Sequence, residues 1–389
     1  MQTNPTKTQE CAAAAALKTK LPKIGYLQLA CLLAVGAVFE MITPLPHMSN
    51  NSVERFVSLW VCGALVTILF VPMFIFAKKH ECSVFEFLNK PLKWIFGLII
   101  FLRLLYTSLA LIVQLHFAIT KTAMPYLSHG YFALMVGATV IYCSNKGLHA
   151  SARVAPLAAI FGIVLVIVIS ALAWHKVELT RLYSPFEGEN QLTDGFRSAL
   201  ATDQVFIFAV LSGYVSTKGK NSERSPTAHR SLLYFIPFVL FLSSWLNFMY
   251  NAVLGRFLPN ALYPMYTIAS FKNLNVLERM DGLVVVSGII GGLLTIILTF
   301  VCIRLVVFEM LRASGQQTVS ERIGKRIVGI VTVAVVTGAY FIIGREGTAF
   351  SWGWLDIFFG VTMVVVAFVL PITALIMSSR NKRKATSEA

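Results

Sequence analysis

The chain has 389 residues, of which 57% are hydrophobic and 13% are charged, and its mean hydropathy is +0.72. This balance excludes a soluble globular domain of this length, which needs far more polar surface to face water. The formal net charge of +15 does not indicate nucleic-acid binding, because the basic residues lie in loops between apolar stretches. The composition therefore predicts a polytopic protein embedded in a lipid bilayer, with no nucleic acid as a partner.

The first predicted span runs from Tyr26 to Pro46 and is long enough to cross the hydrocarbon core of a bilayer. Gly36 lies in its middle, and Glu40 follows one turn later. A carboxylate inside hydrocarbon is costly and usually faces protein, water or a ligand, so these two residues are typical of a transporter binding helix. The alternative is a helix whose Glu40 only reaches the outer interface.

Nine more apolar stretches follow, so the sequence predicts an all-α fold with ten transmembrane helices. They are Phe56 to Ala77, Trp94 to Ile119, Tyr131 to Cys143, Val154 to Trp174, Ala199 to Val215, Leu232 to Leu254, Leu283 to Phe308, Ile327 to Ile343, and Trp354 to Met377. Lys and Arg concentrate in alternate segments between the spans, which places both termini in the cytoplasm.

Three regions follow from this topology. Residues 1–23 form a cytoplasmic tail in which we expect no signal peptide, because no small-residue cleavage site is apparent. Residues 24–378 form a ten-helix permease-like domain, and residues 379–389 form a basic cytoplasmic tail. No soluble domain is predicted.

Ten spans divide naturally into five plus five, which makes the first and sixth spans equivalent in an inverted repeat. The sixth span is also interrupted, with Asp203 early in it and Ser212 and Gly213 late. Paired interruptions at equivalent positions indicate a transporter binding site at mid-membrane. The alternative is that these glycines serve only the close packing of helices, which is a frequent role of glycine in membranes.

No catalytic or cofactor-binding motif is visible in the sequence. It has no G-x-x-x-x-G-K-[ST] phosphate loop, no H-E-x-x-H motif and no G-x-S-x-G motif. The six cysteines form no C-x-x-C pair, as expected for small apolar side chains, and we expect His116 to pack or hydrogen-bond between helices. The sequence therefore predicts no enzyme activity, no cofactor and no metal site.

A small-molecule site at mid-membrane remains. If the first and sixth helices unwind near Gly36 and near Ser212 and Gly213, they free backbone N–H and C=O groups there. Half-helix N-termini favour a ligand carboxylate and freed carbonyls favour an ammonium group or a small cation, which suits an amino acid. The predicted ligand-binding residues are Gly36, Glu40, Tyr106, Gln114, Phe206, Phe208, Ser212, Gly213 and Tyr214. The aromatic members can equally be packing residues.

A second charged group lies at the start of the eighth span, where Glu278, Arg279 and Asp281 fall close together. Charges at a membrane boundary are costly unless they are paired or hydrated. The preceding stretch MYTIASFKNLNVLERM is amphipathic and is predicted to be either a lid lying on the membrane or a passive connector. For the charges, the alternative is an interfacial helix start whose acidic residues favour the helix N-terminus.

This region resembles the spore germination permeases, the B subunits of germinant receptors. Pro264, an amphipathic stretch, and then Glu278, Arg279 and Asp281 match that family's segment before and into its eighth helix. The Glu-Arg-x-Asp pattern is weak alone, but its position before an apolar helix makes it more specific.

Two further matches extend the resemblance over nearly the whole chain. Gly147, Ala152 and Arg153 resemble the family's Gly-x-x-x-x-Ala-Arg run leading into the fifth helix. The stretch from Gln28 to Pro44 resembles its first span, with a Gln, a Gly and a closing Pro.

The resemblance implies a LeuT-like fold of the amino acid/polyamine/organocation transporter superfamily and a germinant-sensing role in the inner spore membrane. It implies a small nutrient ligand such as an amino acid, and as partners a larger membrane subunit and a lipoprotein subunit. Arg153, Glu278, Arg279 and Asp281 are then structural or coupling residues. Glu40 departs from the family, where an apolar or polar residue is expected, and it favours a cationic ligand.

Two other functions fit the same sequence. The first is an ordinary amino-acid permease driven by protons or sodium. The second is an assembly subunit that binds no ligand, and it predicts that replacing Gly36 or Ser212 by leucine leaves a germinant response intact.

Overall fold

A computed structural model describes residues 23–43, 52–80, 83–182, 203–215, 228–261, 263–270, 280–313, 320–344 and 360–387. Nearly all of these residues are helical, and within these ranges the only β feature is a parallel bridge between Ile24 and Val215. The predicted all-α class is therefore confirmed. Glu278 and Arg279, two of the predicted coupling residues, lie outside the described residues.

Each predicted span overlaps a helix. In the first half of the chain the helices are α1 (Tyr26–Ile42), α2 (Ser52–Lys79), α3 (Lys90–Thr122), α4 (His129–Lys146) and α5 (Leu148–Ala173). In the second half they are α6 (Gln204–Leu211), α7 (Ala228–Leu254), α8 (Asp281–Ala313), α9 (Ser320–Gly344) and α10 (residues 360–387). A short helix, Pro264–Ala269, overlaps the start of the predicted amphipathic stretch.

Several of these helices are suited to a bilayer. Among the described residues, α3, α5, α7, α8 and α10 are long and apolar enough to cross a membrane. Shorter apolar helices cover Tyr26–Ile42, Gln204–Tyr214 and Gly329–Ile343. Many large apolar side chains also project outward from the bundle, where lipid rather than water solvates them at no cost. The chain is an integral membrane protein.

The junction between α4 and α5 depends on Gly147, whose φ is 84°. In this left-handed region a Cβ atom is strained against the backbone, so glycine is the residue that fits. Gly147 ends α4 at Lys146 and lets α5 begin at Leu148. This turn lies between the predicted fourth span, which ends at Cys143, and the predicted fifth span, which begins at Val154.

Helix α1 is at the centre of the bundle, where it packs against α5, α6, α7 and α8. The most extensive contact between two helices joins α3 to α8. The N–H of Ile24, just before α1, donates to the carbonyl of Tyr214, just after α6, at 3.0 Å. Since the start of α1 meets the end of α6, these two neighbouring helices are antiparallel.

The last helix changes its winding along its length. It is a π-helix over Val365–Val369 and an α-helix over Leu370–Ser387. The π segment packs against α2 and α6. The described part of the predicted basic tail, residues 379–387, continues α10 as a helix.

Candidate binding site

Helix α1 runs through Gly36 without a break. The predicted unwinding at this residue is therefore wrong, because in hydrocarbon the backbone groups of the helix have no partners other than each other. A Cβ atom at position 36 would lie 3.4 Å from Thr295 Cγ2 and 3.6 Å from Gln204 Nε2. Gly36 thus brings α1 close to α8 and α6, which is the packing alternative that the sequence left open.

Glu40 lies in the last turn of α1 and contacts the start of α6. The Nε2 of Gln204 donates to Glu40 Oε1 at 3.2 Å and to Oε2 at 3.1 Å. Gln204 is buried, whereas Glu40 is half-buried, although the residues from Gly36 to Phe39 beside it are buried. The carboxylate therefore contacts protein through Gln204, and part of the residue remains accessible.

Next to this contact, an ion pair joins α3 to α6. The Nε and Nη2 of Arg103 donate to Asp203 Oδ1 at 2.9 and 2.7 Å. The two side chains are only 3% and 16% exposed. The guanidinium carbon of Arg103 also lies 5.4 Å from the centre of the Phe206 ring, within the range of a cation–π contact.

Glu40, Arg103, Asp203 and Gln204 together form one polar cluster between α1, α3 and α6. Hydrocarbon does not solvate such charges, so a cluster of this kind is costly and marks a functional site by default. Electrostatic forces are also strong there, because little water screens them. Of the predicted site residues, the structure brings Glu40, Gly36 and Phe206 to this cluster.

The second predicted interruption, at Ser212 and Gly213, lies away from the polar cluster. Helix α6 ends at Leu211, and residues Ser212–Tyr214 form a 3-10 turn. A Cβ atom at Gly213 would lie 2.5 Å from Ser83 Cβ and 2.6 Å from Ser83 Cα. The helix therefore ends here, and Gly213 permits a close approach to the segment before Val84.

The residues around this turn form a basal cluster, defined as Ile24, Ser83, Gly213, Tyr214 and Glu309. The Tyr214 hydroxyl lies 3.5 Å from Glu309 Oε1, and both side chains are buried. Placing Ser212, Gly213 and Tyr214 in the site beside Glu40 is wrong. The whole length of α6 separates them, since Gln204 begins the helix and these residues follow its end.

Two other predicted residues have structural contacts. Gln114 is buried on α3 and donates through Nε2 to the carbonyl of Thr43, just past the end of α1, and it lies 3.3 Å from Thr43 Oγ1. Phe208 is buried, and its ring meets Phe70 edge to face at 6.2 Å. Gln114 therefore holds the end of α1, and Phe208 is a packing residue. Tyr106 is half-buried on α3, one turn beyond Arg103.

A small apolar cleft lies where α1 ends, at the opposite end of α1 from the basal cluster. Its walls come from the ends of α1 and α3, the start of α8 and the short helix Pro264–Ala269. The Tyr266 hydroxyl donates to the carbonyl of Thr122 at 2.8 Å and lies 3.5 Å from Asp281 Oδ2. Burial raises the pKa of Tyr263, another wall residue, so its hydroxyl stays neutral.

Two predicted coupling residues are described. Asp281 is the first residue of α8, where its carboxylate favours the positive end of the helix dipole, as the alternative interpretation expected. Arg153 is exposed in the first turns of α5. His116, expected to hydrogen-bond between helices, does so: its Nε2 lies 3.1 Å from His129 Nδ1.

The roles of three members of the polar cluster, Arg103, Asp203 and Gln204, were not predicted from the sequence. Arg103 and Asp203 are charges inside predicted spans, and such charges of opposite sign usually pair. The pairing of Arg103 with Asp203 could therefore have been predicted from the sequence. Gln204 gave no signal, because a neutral amide in a membrane helix is common and only its contact with Glu40 distinguishes it.

No protein-family model and no curated protein matches the chain. Solved structures do. A Na⁺-coupled sialic acid symporter, in a substrate-bound outward-open state, matches with a TM-score of 0.60 and 10% identity over 90% of this chain and 78% of the symporter. A nucleobase-cation-symport-1 family transporter, closed around bromovinylhydantoin, matches with a TM-score of 0.55 and 13% identity over 93% of this chain and 95% of the transporter. The chain has the LeuT-like fold of these transporters.

Proposed function

We propose that the chain is a permease-like membrane protein of ten spans, arranged as a five-plus-five inverted repeat, that binds a small nutrient between α1, α3, α6 and α8. The polar cluster carries this proposal, because it places paired and hydrogen-bonded ionisable groups where the two central helices of the repeat meet. The antiparallel pairing of α1 and α6 supports the inverted repeat.

Binding would act on contacts that already join the helices. Glu40 and Gln204 join α1 to α6, and Arg103 and Asp203 join α3 to α6. A ligand that engages Glu40 competes with Gln204 for the same carboxylate oxygens. It thereby favours one arrangement of α1 relative to α6. The equilibrium between the two arrangements shifts by as much as the ligand's affinities for them differ.

The finer role that we propose is germinant sensing. The chain would be the sensing subunit of a spore germination receptor in the inner spore membrane, with both termini in the cytoplasm. It would pass the change in α1 and α6 to a larger membrane subunit and a lipoprotein subunit. The resemblance at Pro264, Glu278, Arg279 and Asp281 supports this role.

The test is a germination screen. Spores that lack the protein are exposed to single nutrients, and a response that disappears identifies the ligand. In complemented spores we expect Gly36→Leu to abolish that response at normal protein level, since the new side chain meets Thr295 and Gln204. Gly36→Ala is the matched control and should retain it. An intact response with Gly36→Leu contradicts binding at this position.

A second candidate is an amino-acid permease coupled to protons or sodium. It is favoured by the fold, since one matching structure is Na⁺-coupled and the other belongs to a cation-symport family. Uptake of a nutrient by the purified chain alone in lipid vesicles, driven by a proton or sodium gradient, would support this function. Neighbouring genes for a larger membrane subunit and a lipoprotein would support the sensor.

A further inference from the structure

The polar cluster is one positive charge short. With all groups ionised, Glu40 and Asp203 supply two negative charges, and Arg103 supplies one positive charge. Arg103 is bound to Asp203 through two of its nitrogens, whereas the hydrogen bonds to Glu40 come from the neutral amide of Gln204. Glu40 is therefore a membrane-embedded carboxylate whose charge is not neutralised by a hydrogen-bonded cation among the described residues.

The surroundings of Glu40 add to the negative potential. It lies in the last turn of α1, which contains no basic residue, and the helix dipole places partial negative charge at that end. Asp203 also lies close enough to repel it electrostatically, and this repulsion is larger than the attraction of Glu40 to Arg103. A cation beside Glu40 would be attracted by the carboxylate and by the end of the helix together.

A partly accessible position and a further polar group are present. Glu40 is half-buried, and Ile42 and Thr43, two and three residues further along the chain, line the apolar cleft. On α3, Thr107 lies one turn beyond Arg103, and its Oγ1 is buried without a hydrogen-bond partner among the described residues. A buried hydroxyl without a partner is costly, and a ligand that hydrogen-bonds to it removes that cost.

Resting on the proposed function, we infer that the polar cluster binds the positively charged nitrogen of a small organic cation, with Glu40 as its counter-ion. An ammonium group on an amine or a basic amino acid supplies the missing charge and up to three donors for the Glu40 oxygens. The ligand class is therefore an organic cation rather than a neutral nutrient or an anion.

The experiment measures equilibrium binding to the full chain in lipid nanodiscs, in sodium-free potassium buffer. The probes are L-lysine and putrescine as cations and L-alanine as a zwitterion. We expect the wild type to bind a cationic probe saturably, and Glu40→Gln to weaken that binding at least tenfold. Glu40→Asp, which keeps the charge on a shorter side chain, should retain part of the affinity.

Glu309→Gln is the matched control, because it makes the same substitution at a buried glutamate of α8 outside the polar cluster. It should leave the affinity for cations within twofold of the wild type. Thermal unfolding of each variant checks that loss of binding is not loss of fold. Equal cation affinity in wild type and Glu40→Gln would overturn the inference.

Two further results separate this inference from the proposed function. Binding of L-alanine without binding of either cation overturns the inference and supports a nutrient site. Binding of none of the probes overturns the inference, whereas the proposed function is tested by the germination screen. In a separate experiment, thermal unfolding is measured with added sodium chloride. Stabilisation of the wild type but not of Glu40→Gln would show that Glu40 binds a metal cation, and it would overturn the organic-cation assignment.

Discussion

The polar cluster and the basal cluster each contain a buried or half-buried glutamate, but the two carboxylates differ in how their charge is offset. Glu309, in the basal cluster, has Arg312 and Lys93 near enough to attract it and Glu86 near enough to repel it, and the Tyr214 hydroxyl lies 3.5 Å away. Glu40 has a neutral amide as its hydrogen-bond partner, while the neighbouring Arg103 is bound to Asp203. The charges of the protein itself offset the charge of Glu309, so this glutamate needs no ligand. The charge of Glu40 is not offset in this way, so a cationic ligand can supply the missing charge.

Breaking the ion pair of the polar cluster should have the largest effect on stability. Arg103→Ala leaves Asp203 as an uncompensated buried charge, which costs about 3–5 kcal/mol. The measurement is thermal or denaturant unfolding in detergent micelles. Adding Asp203→Ala to the same chain should recover part of the loss, because the charge that Arg103 had paired is then removed as well. Arg103→Ala with wild-type stability would show that the pair is not a structural link.

The two glycines of the predicted interruptions should behave differently. Gly213→Ala places a Cβ atom 2.6 Å from Ser83 Cα, so backbone must shift and about 1–3 kcal/mol is lost. Gly36→Ala meets its neighbours at 3.4 Å or more and gains helix propensity, so its stability should stay within about 1 kcal/mol of the wild type. Unfolding midpoints of both variants test this. Equal losses would mean that the basal turn is no more crowded than α1.

The link at the end of α1 should contribute less. Gln114→Ala removes the hydrogen bond to the Thr43 carbonyl, which stabilises the protein by about 1 kcal/mol. The same change should raise amide hydrogen exchange in the last turn of α1, beside Glu40, but not at the basal cluster. Exchange that rises equally at both ends of α1 would contradict a local role for Gln114.

The smallest effect is expected for the Tyr214 hydroxyl in the basal cluster. Tyr214→Phe removes a hydroxyl that lies 3.5 Å from Glu309, at the outer limit of a hydrogen bond. The loss should be about 0.5 kcal/mol or less by denaturant unfolding. A much larger loss would show that this contact is a main support of the basal end.

The helices could be predicted from the sequence because an apolar stretch of membrane-spanning length carries its signal locally. The junction at Gly147 was predictable for the same reason, since its turn residue stands next to it in the chain. The polar cluster was not predictable in detail. Arg103 and Asp203 are 100 positions apart, and Glu40 and Gln204 are 164 apart.

The two glycines show most clearly what could not be predicted from the sequence. Gly36 and Gly213 look alike in sequence, each within an apolar stretch near polar residues. One lies inside an unbroken helix, and the other follows a helix end. Only the neighbours that each glycine meets, Thr295 and Gln204 in one case and Ser83 in the other, distinguish these outcomes.

The most direct test of ligand binding at the polar cluster is a cryo-electron microscopy structure of the chain in nanodiscs with its nutrient bound. Our account predicts ligand density within hydrogen-bond distance of Glu40, with Gln204 displaced from at least one carboxylate oxygen and the Arg103–Asp203 pair retained. Density elsewhere in the bundle, with the Glu40–Gln204 contact unchanged, would contradict it.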